Sequence, residues 1–197
     1  MLIYFKKLYH FFLAWLSNLF YRQPSKKLFV IGVTGTKGKS TVLELINAIL
    51  EEAGQKTALM SSVRMKIGEQ SQKNIAGMSM PGRFAIQRFL CRAARDGCQF
   101  ALIEVTSQGV AQYRHRFIDF DAALVTNLHP EHIESHGSFE KYRDAKARFF
   151  ADMRFSGKAQ KYFFINNMMA GKEYFEKAAS GRGTVFYFDR EDFINGD

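Results

Sequence analysis

Cysteine is scarce in this 197-residue chain. Cys91 and Cys98 are the only two, seven apart on a stretch read as one helix. That spacing fits neither a CxxC redox pair nor a zinc knuckle, so both are expected as free thiols in a reducing cytosol. Long apolar runs are missing as well. The charge-free stretch from Leu8 to Tyr21 falls short of the ~20 apolar residues a bilayer span needs, and it contains His10, Ser17 and Asn18. It lacks a small-residue cleavage site, which argues against a signal peptide. Internal repeats and low-complexity segments are absent. Acidic residues are outnumbered, 19 against 28 Lys and Arg, for a net charge of +9. This excess favours an acidic partner: nucleic acid, an anionic membrane surface or phosphorylated small molecules. Nucleic acid is set aside, because the basic residues are dispersed and no recognised motif accompanies them.

What remains is a chain of ordinary apolar content, long enough for one full core. It opens with MLIYFKKLYHFFLAWLSNLFYRQPSKK, in which Lys6, Lys7, Arg22, Lys26 and Lys27 flank a stretch rich in Phe, Tyr and Trp. Residues 1–23 resemble an interfacial helix lying on an anionic membrane, and equally a helix docked on the protein's own core or on a missing domain. Residues 1–27 are therefore treated as one segment and 28–197 as the domain.

Leu28–Val33 is a short apolar run read as a buried strand. Val42, Leu45, Ile46, Ile49 and Leu50 then form a helical stripe that stops at Gly54. The alternation continues with strands at Thr57–Met60, Phe100–Val105, Ala122–Val125, Tyr162–Ile165 and Val185–Phe188. Helices are expected from Pro81 to Gly97, from Ser138 to about Met153, and over Lys172–Ala179. Arg64–Asn74 reads as a polar loop or a hairpin. Apolar strands alternating with helices imply an α/β fold, with a mostly parallel sheet covered on both faces. Ligands collect at the C-terminal strand ends of such sheets, so the polar residues there are the candidates.

The first of these ends reads VIGVTGTKGKSTV, Val30–Val42. Gly38, Lys39 and Ser40 supply the ending of a P-loop, but the pattern's first glycine falls on Val33. Gly32 lies one residue too early and Gly35 two too late. The context is nonetheless strand, glycine-bearing turn, helix, which offers backbone N–H groups and a helix dipole to a phosphate. Lys39 would add positive charge and the Ser40 hydroxyl could bind magnesium. Glu104 ends an otherwise apolar strand, where a carboxylate is costly unless paired or metal-bound. His132 and His136 stand four apart, but Ile133 occupies the place where a zinc protease has its glutamate, so zinc is set aside.

Three strings in order, GVTGTKGKST, then EVTSQG with Gln112 and Arg114, then TNLHPEHIESHGSFEKYRDAK, resemble the Mur ligase family. They are most similar to the ligases that add the third residue of the peptidoglycan stem peptide. The family's phosphate loop has the same five-residue gap after its first glycine. The resemblance implies a P-loop NTPase-like central domain that uses ATP to phosphorylate a carboxylate, with an amine then attacking the acyl phosphate. It assigns Gly35, Thr36, Lys37, Gly38, Lys39, Ser40, Thr41 and Asn127 to the nucleotide. Ser40 or Thr41 with Glu104 would hold one magnesium ion, and His132 a second. Lys146 matches a carbamylated lysine supporting that second metal, and Lys39, Lys146 and His132 are the expected catalytic residues. Ser79, Thr106, Gln112 and Arg114 match contacts to an acidic sugar-peptide substrate.

Departures accompany the match. Glu131 stands where an Asp is usual, and Met80 replaces the second Thr of the substrate loop. Residues 1–27 stand where a uridine-binding domain is expected, which weakens the case for a UDP-linked substrate. Family members also continue beyond the position of Asp197, so the chain is expected to be either a fragment or a truncated relative, unable to ligate by itself. Expected localisation is cytoplasmic, and the interfacial reading of residues 1–23 would make it peripheral at the inner face of the membrane. Two alternatives stay open: a poly-γ-glutamate or folylpolyglutamate synthase-like ligase, and a non-catalytic nucleotide-binding module.

Overall fold

The computed structural model describes residues 2–75, 77–130 and 137–189. Their strands are β1 (Phe29–Thr34), β2 (Thr57–Met60), β3 (Arg64–Ile67), β4 (Gln70–Lys73), β5 (Phe100–Glu104), β6 (Ala122–Val125), β7 (Tyr162–Asn166) and β8 (Thr184–Phe188). They form one sheet in the order β4-β3-β2-β5-β1-β6-β7-β8. Every pairing from β2 to β8 is parallel. β3 and β4 pair antiparallel, so Arg64–Asn74 forms the hairpin rather than the loop. Because β1 lies between β5 and β6, the residues that follow all three strands meet at one edge.

The helices are α1 (Leu2–Phe20), α2 (Lys39–Glu52), α3 (Arg83–Arg95), α4 (Ser107–Ala111), α5 (Phe139–Asp152) and α6 (Lys172–Ala179). α2 turns Leu43 into one face of the sheet, against Val33, Leu59 and Leu102, with Val42, Ile46 and Leu50 alongside. The opposite face is covered by α3 through Ile86, Phe89, Leu90 and Ala93, by α5 through Phe149 and Phe150, and by α6 through Phe175 and Ala179. Leu43, Ile46 and Leu50 on α2 and Ile86, Phe89, Leu90 and Ala93 on α3 recur at three and four residues, so the helical period is the packing period. α1 rests on α3, outside the sheet. A 3-10 turn at Pro24–Lys27 connects it to the domain.

One detail departs from the sequence reading. α3 ends at Arg95 and Gly97 takes φ +77°, so Cys98 lies past the helix and not on it. Its buried thiol donates to the Thr57 carbonyl at 3.4 Å. Gly32, one residue too early in the sequence for a P-loop glycine, lies inside β1. A Cβ there would come within 2.4 Å of the Phe149 ring and 2.9 Å of Phe120. Gly32 therefore serves the packing of α5 on β1, not the anion loop.

Beneath α5, His115 is buried and shares a 2.9 Å hydrogen bond with Asp152. Arg116 and Arg148 also approach Asp152, at 3.5 and 3.3 Å. Burial holds the His115 pKa below its ordinary 6.5 despite that carboxylate. A base whose folded pKa is depressed is protonated first in the unfolded chain, so stability is lost as pH falls below about 6.5. Chemical denaturation from about pH 7.5 to about pH 5.5 should show that loss, and His115→Gln should flatten it.

Candidate nucleotide site at the C-terminal strand ends

The chain leaves β1 at Thr34, turns through Gly35, Thr36 and Lys37, and enters α2 with Gly38 at the N-cap. Gly38 takes φ +79° and Gly35 φ +143°, both in the region that favours glycine. Gly35 has a second constraint, since a Cβ on it would lie 2.0 Å from the Thr126 hydroxyl oxygen. That hydroxyl donates to Lys37 O at 2.7 Å. Asn127 ties the same turn from both ends of its amide. Its oxygen accepts from Thr36 N (3.1 Å) and Lys37 N (2.9 Å), and its Nδ2 donates to Lys37 O at 3.0 Å. Thr36 is buried, and its Oγ1 accepts from His129 N at 2.9 Å and from the Tyr142 hydroxyl at 3.0 Å. The loop is thus held by the segment after β6 and by α5, not by its own contacts alone.

Gly35→Ala should therefore dislodge the loop. Strain at that φ and the overlap with Thr126 together are expected to weaken ATP affinity by about 10–100-fold. Nucleotide titration by calorimetry checks this, and adding Thr126→Ala to the same variant should recover part of the loss.

Two lysines converge on the loop. Lys39 Nζ donates to Gly35 O at 3.2 Å and Thr36 O at 3.1 Å. Lys146, on α5 and buried, donates to the same Gly35 O at 2.6 Å, with its Nζ 4.6 Å from the centre of the Tyr142 ring. On the other side of Lys39, at 3.8 Å, is Glu104 at the end of β5, only 3% exposed. Glu104 accepts from the Ser40 hydroxyl at 2.8 Å and from Ser62 N at 2.9 Å, and the Ser40 and Ser62 hydroxyls lie 2.9 Å apart. Thr41 is exposed, so Ser40 is the hydroxyl that meets the carboxylate. His132 and Glu131 lie outside the described residues.

Among the described residues no cluster of three His, Cys, Asp or Glu could cage a metal alone. The Ser40, Ser62 and Glu104 oxygens nevertheless fit magnesium, which is usually held by one or two carboxylates while phosphates and water complete the octahedron. The sequence reading missed Ser62, Thr126 and Tyr142. Ser62 and Thr126 both follow strand ends, which was the available signal. Tyr142 carried none, since its partner Thr36 is 106 residues away.

The substrate candidates gather beside this loop, around α4. Thr106 caps α4, accepting from Gly109 N at 3.0 Å. Gln112 Oε1 accepts from Arg114 Nη2 at 2.7 Å and Nε at 3.1 Å. Arg114 also donates to Met80 O, and Arg83 of α3 donates to Gln112 O. Ser79 is half-buried next to Met80, whose side chain is buried against Gly109. The residue that replaces the second threonine thus packs under α4 and still holds Arg114 through its backbone. Neither Arg83 nor Arg114 has a carboxylate partner among the described residues. Burial holds both guanidinium pKa values below the ordinary one, and for Arg83 the charge of Arg114 adds to it.

The family model for the Mur ligase middle domain matches residues 33–195. The chain belongs to the Mur ligase family. Among the curated relatives of this Mur ligase domain is the UDP-N-acetylmuramoyl-L-alanyl-D-glutamate--2,6-diaminopimelate ligase of Geobacillus kaustophilus, 34% identical over 83% of the chain and 34% of the relative. A solved structure of a ligase of that name superposes with a TM-score of 0.72 at 28% identity, covering 82% of this chain and 32% of that one. Folylpolyglutamate synthase of Mycobacterium tuberculosis shares the fold alone, at 15% identity and a TM-score of 0.68, over 91% of this chain and 46% of that one. The Mur ligase chain spans about a third of the length of the curated relative it matches.

Proposed function

We propose that residues 28–197 form the ATP-binding part of an amide-forming ligase that activates a carboxylate as an acyl phosphate, with residues 1–27 a separate element. The observation that carries this reading is the convergence of Lys39 and Lys146 on Gly35 O beside the Ser40–Glu104 pair. A loop gripped by one lysine cation, Lys39, beside a carboxylate able to hold magnesium matches the needs of phosphoryl transfer, where positioning and charge neutralisation dominate. Lys39 would exchange its two loop carbonyls for phosphate oxygens. Ser40 and Glu104 would hold magnesium, which when bound neutralises charge on the β- and γ-phosphates. In Lys146 we place the carbamate that supports a second magnesium ion, together with His132.

Arg83 and Arg114, with no carboxylate partner among the described residues, are suited to the acidic groups of the acceptor, with Ser79, Thr106 and Gln112 beside them. The names of the relatives make UDP-N-acetylmuramoyl-L-alanyl-D-glutamate the first acceptor to try and 2,6-diaminopimelate the first amine. With ATP and a nucleotide-linked acceptor as its substrates, the reaction would run on the cytoplasmic side, in peptidoglycan precursor synthesis. Phosphate release by the intact protein, measured with each acceptor and amine in turn, tests the reading. Release that needs both reactants supports it. Turnover only with a folate or poly-γ-glutamate acceptor would transfer the assignment to those ligases, and ATP binding without turnover on any acceptor would reduce the domain to a nucleotide-binding module.

A further inference from the structure

The two sides of α1 differ in an unusual way. Ala14 and Ser17 are buried on the domain, with His10 and Tyr21 half-buried on the same side. On the opposite side Phe5, Leu8, Phe12, Trp15 and Leu19 follow one another at intervals of three and four residues. These five are between 43% and 65% exposed, although all are large and apolar. A helix that has already docked by its small residues gains nothing from such a stripe in water, so the stripe calls for an occupant of its own.

Charge identifies the occupant. No Asp or Glu precedes Glu44, whereas Lys6, Lys7, Arg22, Lys26 and Lys27 are all exposed at the two ends of the helix. A tryptophan and several phenylalanines bracketed by basic residues match the chemistry of an anionic headgroup layer. Among the described residues no helix is long and apolar enough to cross a membrane. The orientation agrees, since a helix held flat on α3 can only lie along a surface, as interfacial helices do. We propose that α1 docks the domain on an anionic bilayer, its Phe5–Leu8–Phe12–Trp15–Leu19 stripe immersed among the headgroups.

The geometry adds a consequence for the neighbouring site. Phe11 of α1 packs edge-on against Tyr113 and Phe117, with ring centres 6.1 and 5.0 Å apart. Tyr113 lies between Gln112 and Arg114, so docking would bring the acceptor side chains to within about a helix diameter of the lipid surface.

Trp15 is the only tryptophan, which makes its fluorescence a direct reporter. The test combines Trp15 emission with co-sedimentation on phosphatidylcholine vesicles, with and without phosphatidylglycerol. The expected result is a blue shift and pelleting that require phosphatidylglycerol and fade with salt. The double variant Phe12→Glu/Leu19→Glu, altered only on the outward face, should lose both while keeping its circular dichroism. Reversing Lys26 and Lys27 to Glu should weaken binding by about tenfold or more. Equal pelleting of the Phe12→Glu/Leu19→Glu variant would overturn the proposal. So would Trp15 emission already blue in buffer from a dimer that ignores vesicles, which would assign the stripe to a second copy.

Discussion

Lys39→Ala is expected to lower ATP-dependent turnover of the intact protein by about 10²–10³-fold, the usual cost of removing one preorganised charge from a transferring oxyanion. The reason is positional. Lys39 Nζ is already held by Gly35 O and Thr36 O at the mouth of α2, 3.8 Å from Glu104. No other described lysine occupies that point, since Lys146 reaches the loop from the α5 side. Lys39→Arg should fail to restore the rate, because a planar guanidinium cannot fit where a point charge is gripped by two adjacent carbonyls. Folding should be little changed, since Glu104 keeps its bonds from Ser40 and Ser62. Single-turnover phosphate release alongside a thermal melt separates the two effects. A variant that melts normally and turns over normally would remove Lys39 from the chemistry.

The second large effect is at Lys146. Lys146→Ala should also cost about 10²–10³-fold in turnover, and what restores it reveals the working state of the side chain. The side chain is buried and reaches Gly35 O as an ammonium at 2.6 Å. If it works as a carbamate, acetate or formate added to the alanine variant should recover activity, by placing an oxygen anion in the vacated space. If it works as a cation, methylamine should do so and the carboxylates should not. Rescue by methylamine alone would therefore eliminate the carbamate and the second metal it was to support. Calorimetric titration of ATP into the alanine variant adds a further check, since loss of the Gly35 contact alone should alter affinity only modestly, by about tenfold or less.

Much of this architecture was legible because it is written in local periods. The stripe from Val42 to Leu50 became α2, and Ser138 capped α5, accepting from Lys141 N at 3.3 Å. Thr57–Met60 and Ala122–Val125 are strands over the residues expected. The family resemblance pairs Ser40 and Glu104, and they meet because both lie at the same sheet edge. Contacts that hold the loop in place were not legible. Thr126, Asn127 and Tyr142 reach it from 89 to 106 residues away, and no short window records such a pairing. Gly32 shows the limit from the other direction. In the sequence it stands out for its spacing alone, while the aromatic rings of Phe149 and Phe120 leave no room for a side chain there.

The two margins of the sheet have unequal prospects in the test tube. β4 presents Gln70, Ser71, Gln72 and Lys73, all exposed and polar, a margin that discourages pairing with a neighbour. β8 presents Thr184, Val185, Phe186, Tyr187 and Phe188, with Phe186 and Tyr187 half open to solvent and, among the described residues, no strand beyond them. A strand end of that composition is a template for recruiting further strands. Any self-association of these 197 residues through β8 should therefore fall in the variant Phe186→Lys, read by light scattering against concentration.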